Sequence, residues 1–264
     1  MAENKSIFSN DHPFKIIFMA VALCLVGSVL VSAAAIGLRP LQEANAKLSK
    51  QTNILQVAGL YDAGTDVGAV YAERIEPRVV DLATGEFTDA VDPETYDERL
   101  AERDPELSTA LTAEQDPAQI KRRVQYATIY LVRDAADDGF ETIILPVHGY
   151  GLWSTLYGFV ALKPDGNEIV GLQFYQHAET PGLGGEVDNP TWRAQWPGKK
   201  LFGDDGQVSI EIVKSGATGD YQVDGLAGAT LTSRGVHNLV RYWAGQDGFG
   251  PFLKNMTEEL ATNG

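Results

Sequence analysis

From Ile16 to Leu38 the chain reads IIFMAVALCLVGSVLVSAAAIGL, 23 residues without a charge. As a helix, at about 1.5 Å per residue, the segment extends roughly 34 Å, enough to cross a bilayer core of about 30 Å. A buried core helix would carry a polar face somewhere in six turns, and this one carries none. The small residues Ser32, Ala33, Ala34 and Ala35 suit a signal-peptide cleavage site, but the apolar stretch of a signal peptide is usually shorter. The expectation is a retained single-pass anchor over 16–38, preceded by a short tail at 1–15. Cys24, the only cysteine, sits mid-span as a small apolar filler, so no intrachain disulfide forms. Lys5 and Lys15 precede the span and Arg39, Lys47 and Lys50 follow it, which leaves the orientation open on charge alone.

The net charge of −15 falls entirely beyond residue 38, because Lys5 and Lys15 cancel Glu3 and Asp11. Such a domain offers no positive field to phosphates, which argues against nucleic acid as a partner. Leu41, Leu48 and Leu55 recur at heptad spacing ahead of Gly59, which predicts a juxtamembrane helix or stalk over 39–60 with a glycine stop. Residues 62–116 then hold 16 acids against 4 bases, and the segment 61–124 reads as solvated short helices and loops. From Gln125 the texture changes. QYATIYLVR, ETIILPVHGYG, STLYGFVAL and IVGLQFYQHAE are rich in β-branched and aromatic residues, with the turn KPDGNE between the last two. NPTWRAQW reads as a helix, VSIEIVK and YQVDG as further strands, and Val236, Leu239, Val240 and Trp243 mark a helix with one buried face. A last short helix follows Gly250-Pro251. The predicted class is α+β: one transmembrane helix followed by a mostly antiparallel sheet with packed helices over 125–264.

Three segments are too unusual for scaffold alone: GYGLWS (149–154), HAETPGLGGE (177–186) and DGLAGATLTS (224–233). Each mixes glycines with an aromatic, a hydroxyl or a carboxylate, a composition that lets a flat ligand lie against backbone. His148, His177 and Glu179 lack the spacing of a metal site, so no metal is expected. No G-x-S-x-G elbow, P-loop or dinucleotide fingerprint is present. Thr230 is expected at the N-cap of the Leu231–Ala244 helix, where the backbone N–H groups of Leu231, Thr232 and Ser233 and the helix dipole favour an anion such as a phosphate.

DGLAGATLTS resembles the D-x-x-S/T-G-A-T motif of covalently flavinylated proteins, departing at Ala227, where the motif usually has Ser or Thr. Together with HAETPGLG, GYGLWS and KQTNILQVAGL, it makes the chain similar to the C-subunit family of the sodium-translocating NADH:quinone reductases. The related G-subunit family of the Rnf complexes is the nearest competing assignment, and a membrane-anchored binding or assembly protein is the competing class. The resemblance implies FMN joined through its phosphate to Thr230 by a separate flavin transferase that reads Asp224, Gly228 and Ala229. It also implies that Glu179, Thr180, Gly182 and Leu183 line the isoalloxazine, with Trp153 nearby. It implies an electron-relay component of a six-subunit inner-membrane complex, with the domain on the extracytoplasmic (periplasmic) side. Electrons would arrive from an iron–sulfur centre and leave to a second covalent FMN, carried by the B-subunit of the complex. No residue would then act as an acid–base catalyst.

Overall fold

A computed structural model describes residues 13–135 and 139–263, with side chains described as far as Glu258. Residues 1–12, most of the expected tail, lie outside the described residues. The chain divides into two units, 1–50 and 51–264. The first is helical throughout its described part, and its large apolar residues from Phe14 to Leu48 are exposed. One helix, α1 (Pro13–Val57), covers both the 16–38 span and most of the predicted stalk, passing Pro40, which lacks an N–H to donate.

In the second unit the last turns of α1 end as the Gly59 signal predicts. Gly59 takes φ +73°, its N–H bonds the Gln56 carbonyl, and the Leu60 N–H reaches back to Leu55, the paired bonds of a Schellman stop. The elements that follow are α2 (Val67–Arg74), β1 (Ile75–Asp81), β2 (Glu86–Phe87), α3 (Glu98–Ala101), β3 (Ser108–Ala110), β4 (Arg122–Val124), β5 (Tyr126–Arg133), β6 (Phe140–Tyr150), β7 (Thr155–Leu162) and β8 (Ile169–Gln176). A 3₁₀ turn (Gly184–Asp188), α4 (Pro190–Arg193), β9 (Glu211–Val213), β10 (Gln222–Asp224), α5 (Thr230–Ala244) and α6 (Gly250–Asn263) complete the chain. The main sheet has the order β2-β1-β5-β6-β7-β8 with every pair antiparallel. β9 and β10 form a separate parallel pair, and β3 and β4 an antiparallel one.

The strand-rich sequences from residue 125 supply β5 to β8, and KPDGNE closes the β7–β8 hairpin with Gly166 at φ +66°. The segment 61–124 departs from its helical and loop expectation. It contributes β1, which pairs along its whole length with β5, so the sheet has no boundary at residue 125. The IEPRVVD sequence disguises this strand because Glu76, Pro77 and Arg78 interrupt the apolar run. Only Val80 and Asp81 are covered by the two-residue β2, so Pro77 lies where β1 is an edge and needs no ladder donor.

Both faces of the sheet are covered, which is why β5 is buried along nearly its whole length. On one face Ile129, Ile143, Leu145 and Val160 belong to the core that holds Val236, Leu239, Val240 and Trp243 of α5 and Phe252 of α6. On the other, Tyr130, Ile144 and Phe159 pack with Ile54, Leu55 and Val57 of α1 and with α2. Leu55 is therefore a core residue, whereas Leu41 and Leu48 of the same heptad series are exposed. The buried Gln173 of β8 adds a polar tie. Its amide donates to Asn53 (2.7 Å) and Gln56 (2.6 Å) of α1, and its carbonyl accepts from Arg193 of α4 (2.7 Å). All three hydrogen bonds lie in a part-buried setting, where an unmade partner would be costly.

α5 lies directly on the end of β6, and this close approach depends on Gly235. A Cβ there would stand 2.5 Å from the Tyr150 carbonyl oxygen and 2.9 Å from the Gly151 Cα. In an ordinary helix interior Gly to Ala stabilises by about 1 kcal/mol. Here Gly235→Ala must instead force helix and strand apart, with an expected net loss of about 1–3 kcal/mol. Thermal unfolding of the full chain in detergent measures it, and a raised midpoint would contradict the close contact.

Candidate functional site

The three unusual segments converge at one end of the sheet. GYGLWS is the β6–β7 connection, HAETPGLGGE leaves β8, and DGLAGATLTS runs from the end of β10 into α5. Glu179 joins them. Its Oε1 accepts the N–H groups of Leu152 (3.0 Å), Trp153 (2.9 Å) and Ser154 (3.3 Å), and its Oε2 accepts the Thr232 hydroxyl (2.7 Å). The carboxyl is buried. Burial pushes its pKa up, but the hydrogen bonds from Thr232, Trp153, Leu152 and Ser154 outweigh it and hold the group below its ordinary value. Glu179 was expected to line a flavin ring. With all its described hydrogen bonds turned inward, it acts as the clasp beneath the surface, and Thr232, fully buried, is the other half of that clasp.

Smaller contacts fix the same loops. The Ser154 hydroxyl accepts the Ala178 N–H at 2.7 Å. His177 Nδ1 accepts the Glu179 N–H at 3.2 Å, so the ring proton sits on Nε2, facing Asp188 at 2.9 Å. The Thr180 carbonyl accepts from both Leu183 and Gly185, closing a turn in which Gly182 takes φ +75°. Gly184 lies so close to the clasp that a Cβ would meet Thr232 Oγ1 at 2.5 Å and Glu179 Oε2 at 2.7 Å.

Above the clasp the surface is apolar and open. Trp153 is 66% exposed, Leu183 45% and Leu231 44%, and Leu152 is also exposed. These side chains come from the three segments that Glu179 and Thr232 hold together. Leu183 and Gly228 adjoin, since a Cβ on Gly228 (φ +74°) would lie 3.3 Å from Leu183 Cδ2. Exposed large apolar groups clustered in this way mark a binding surface. A cleft of about 840 Å³ lies elsewhere, lined by Phe202, Val208, Ala244 and Leu253 among others, and shares none of these residues.

Thr230 is exposed and is the first residue of α5, one position later than its expected N-cap role. The N-cap position belongs to Ala229, whose methyl cannot accept a hydrogen bond, and the helix has no side-chain cap. The Ser233 N–H, expected to face Thr230, instead bonds the Ala229 carbonyl. The first turn therefore presents Thr230, Leu231 and Thr232 as the uncapped N–H end of a 15-residue helix, a setting that favours a phosphate. Asp224 occupies a bracing position: its carboxylate accepts the Ala217 N–H (2.7 Å) and its carbonyl accepts Trp192 Nε1 (2.8 Å). Ser233, marked in the sequence only for its backbone N–H, pins the same segment with its hydroxyl, which accepts the Leu226 N–H and donates to the Ala229 carbonyl. Leu152 and Ser154 were within GYGLWS but had no assigned role. Their part depends on Glu179, 25 or more residues away.

A helix end ready for phosphate beside an apolar shelf suits a flavin mononucleotide, and residues 151–245 match the FMN-binding domain family. This is an FMN-binding domain in a chain that also carries, among the described residues, one apolar helix long enough to cross a membrane. Relatives extend the likeness over nearly the whole chain. The chain is 52% identical to the Na(+)-translocating NADH-quinone reductase C-subunit of Pseudomonas aeruginosa over 94% of this chain and 97% of that protein. It is 51% identical to the same C-subunit of Vibrio vulnificus, over 95% and 98%. The crystal structure of Shewanella oneidensis NqrC superposes with a TM-score of 0.75 at 35% identity, covering 81% of this chain and 99% of that one. That of the C-subunit from Parabacteroides distasonis gives 0.64 at 27%, covering 82% and 96%. The chain belongs to the C-subunit family of the Na(+)-translocating NADH-quinone reductases, and so to a multi-subunit membrane oxidoreductase.

The clasp makes a pH prediction. A carboxyl whose pKa is lowered by folding adds stability that is fully present above its unfolded value. That stability is lost as the pH falls through the lower, folded one. Glu179→Gln, which puts an amide donor against N–H and hydroxyl donors, should cost about 1–3 kcal/mol near pH 7. The gap between wild type and variant should shrink as the pH drops below the ordinary carboxylate range, where denaturant titrations can follow it. A constant gap from neutral to acid pH would refute the ionised clasp.

Proposed function

We propose that the chain carries FMN bonded covalently through its phosphate to Thr230 and relays electrons within the sodium-pumping reductase. The observation that carries this reading is the exposed Thr230 hydroxyl at an uncapped helix start, bordered by Trp153, Leu183 and Leu231. The surface is open, so a ring resting there has one face covered and little enclosure, and a covalent tether supplies the retention that burial does not. Leu183, Trp153 and Leu231 would give apolar cover, and Gly182 and Gly228 would admit the ring and chain of the cofactor. Thr180 would border the ring edge, while Asp224 and Ala229 set the shape that a flavin transferase reads.

Attachment requires an activated donor, since a free phosphomonoester does not condense with a hydroxyl in water. A flavin dinucleotide meets the need. The Thr230 oxygen bonds to the flavin-side phosphorus, the pyrophosphate bond breaks, a nucleoside monophosphate leaves, and the transferase takes the hydroxyl proton. The bound cofactor then supplies the redox chemistry, and this chain's residues hold it and tune its surroundings. The relay would run from an iron–sulfur centre in a membrane component of the complex to the covalent FMN of the B-subunit, with the domain on the periplasmic side and α1 in the inner membrane. The alternative of an assembly or binding module would leave Thr230 unmodified.

Expressed with a flavin transferase, the full chain should give a fluorescent band under ultraviolet light in a denaturing gel, and Thr230→Val should remove it. A dark wild-type band sinks the proposal. Trp153→Ala, at a site so exposed, should change stability by less than about 0.5 kcal/mol. It should, however, alter the absorption and fluorescence of the attached flavin, and an unaltered flavin spectrum would remove Trp153 from the ring's surroundings.

A further inference from the structure

Arg234 stands one turn after Thr230 on α5, exposed to solvent. Residues four apart on a helix are neighbours, with Cβ atoms about 5–6 Å apart. A helical side chain also leans toward the N-terminus and covers the turn before its own Cα. From that position the Arg234 side chain can reach the turn that begins with Thr230. Most of the domain's other cations are engaged: Arg74, Arg133, Lys163 and Lys200, for example, each pair with a carboxylate. Arg234 makes no ion pair or hydrogen bond with any described residue. Its neighbours at three and four positions, Thr230, Leu231, His237 and Asn238, include no acid, and α5 has none anywhere. A guanidinium near the positive end of a helix is electrostatically unfavourable unless an anion joins it.

We propose that Arg234 is the counter-charge of the flavin phosphodiester, a positioning and specificity residue for the cofactor. This rests on the covalent-FMN reading given above. A phosphodiester keeps one negative charge on two non-bridging oxygens, a pair that the forked guanidinium matches with two parallel N–H donors. In a chain of net charge −15, that local cation favours the charged phosphate end of the cofactor over a neutral analogue.

The test compares Arg234→Lys, Arg234→Gln and Arg234→Glu in the full chain, flavinylated by the transferase, with Lys121→Gln, outside α5 and the three site segments, as a control. Two readouts are taken: the initial rate of covalent attachment from band fluorescence, and the ³¹P resonance of the attached phosphodiester across a salt series. Arg234→Gln should slow attachment about two- to fivefold, the scale of a solvent-exposed ion pair. Arg234→Glu should slow it further, and Arg234→Lys should largely restore it. The ³¹P shift should move in Arg234→Gln and lose its salt dependence, while Lys121→Gln matches wild type. A ³¹P resonance unchanged in Arg234→Gln overturns the pairing even where the rate falls. Fluorescence that survives in Thr230→Val overturns the Thr230 linkage, and Arg234 loses its assigned partner with it. A dark wild-type band overturns both.

Discussion

The site depends on a buried carboxylate held by four donors, none of them a cation. Taking Glu179 out of water costs several kcal/mol. Hydrogen bonds to a charged group contribute about 1.5–3 kcal/mol each, so four of them together offset that cost. Using backbone donors rather than an arginine has a geometric consequence. Three successive N–H groups, from Leu152, Trp153 and Ser154, converge on one oxygen, which curls the loop into an anion-holding nest. With the N–H groups turned in, Leu152 and Trp153 are left facing out. The same carboxylate that satisfies the interior thereby displays the apolar shelf, and its second oxygen fixes the first turn of α5 through Thr232.

That arrangement is anchored by a sheet covered on both faces. α5 is set against β6 at Gly235, while the far face takes the last turns of α1, with Gln173 tying Asn53 and Gln56 to Arg193. Ile54, Leu55 and Val57, at the end of the long helix, are therefore part of the domain core. Within the second unit, a polar path runs from the α1 residues through Gln173 and Arg193 to α4, whose Trp192 donates to the Asp224 carbonyl at the start of DGLAGATLTS.

The legible parts of the chain were those governed by local pattern. Four of the sheet's strands, the KPDGNE turn, the Gly59 helix stop and the buried stripe of α5 follow from periodicity and turn chemistry. β1 was hidden because its identity as a strand comes from pairing with β5, about 50 residues on in sequence, and its own residues include three charges and a proline. The role of Glu179 was hidden for the same reason. Its residue type and its glycine-rich setting marked it, but only the folded chain shows that the carboxylate faces inward to Leu152, Trp153, Ser154 and Thr232. The one-residue shift at Thr230 follows from Ala229 taking the N-cap position, a choice that the string GATLT leaves undetermined.

The shift has a chemical consequence. A threonine at the N-cap would have turned its hydroxyl onto the N–H groups of the second or third helical residue, spending its oxygen as an acceptor in the fold. One position later, Thr230 keeps an exposed hydroxyl, while an alanine that cannot cap leaves the same N–H groups to whatever anion the hydroxyl acquires. On the reading proposed above, one placement gives both the attachment oxygen and the charge environment for the phosphate bonded to it. Thr232 and Ser233, two and three residues on, carry hydroxyls that are already committed, to Glu179 and to the Ala229 carbonyl. Of the three hydroxyls in TLTS, burial and bonding leave Thr230 as the exposed one, so on that reading the fold itself would select it before any transferase reads the segment.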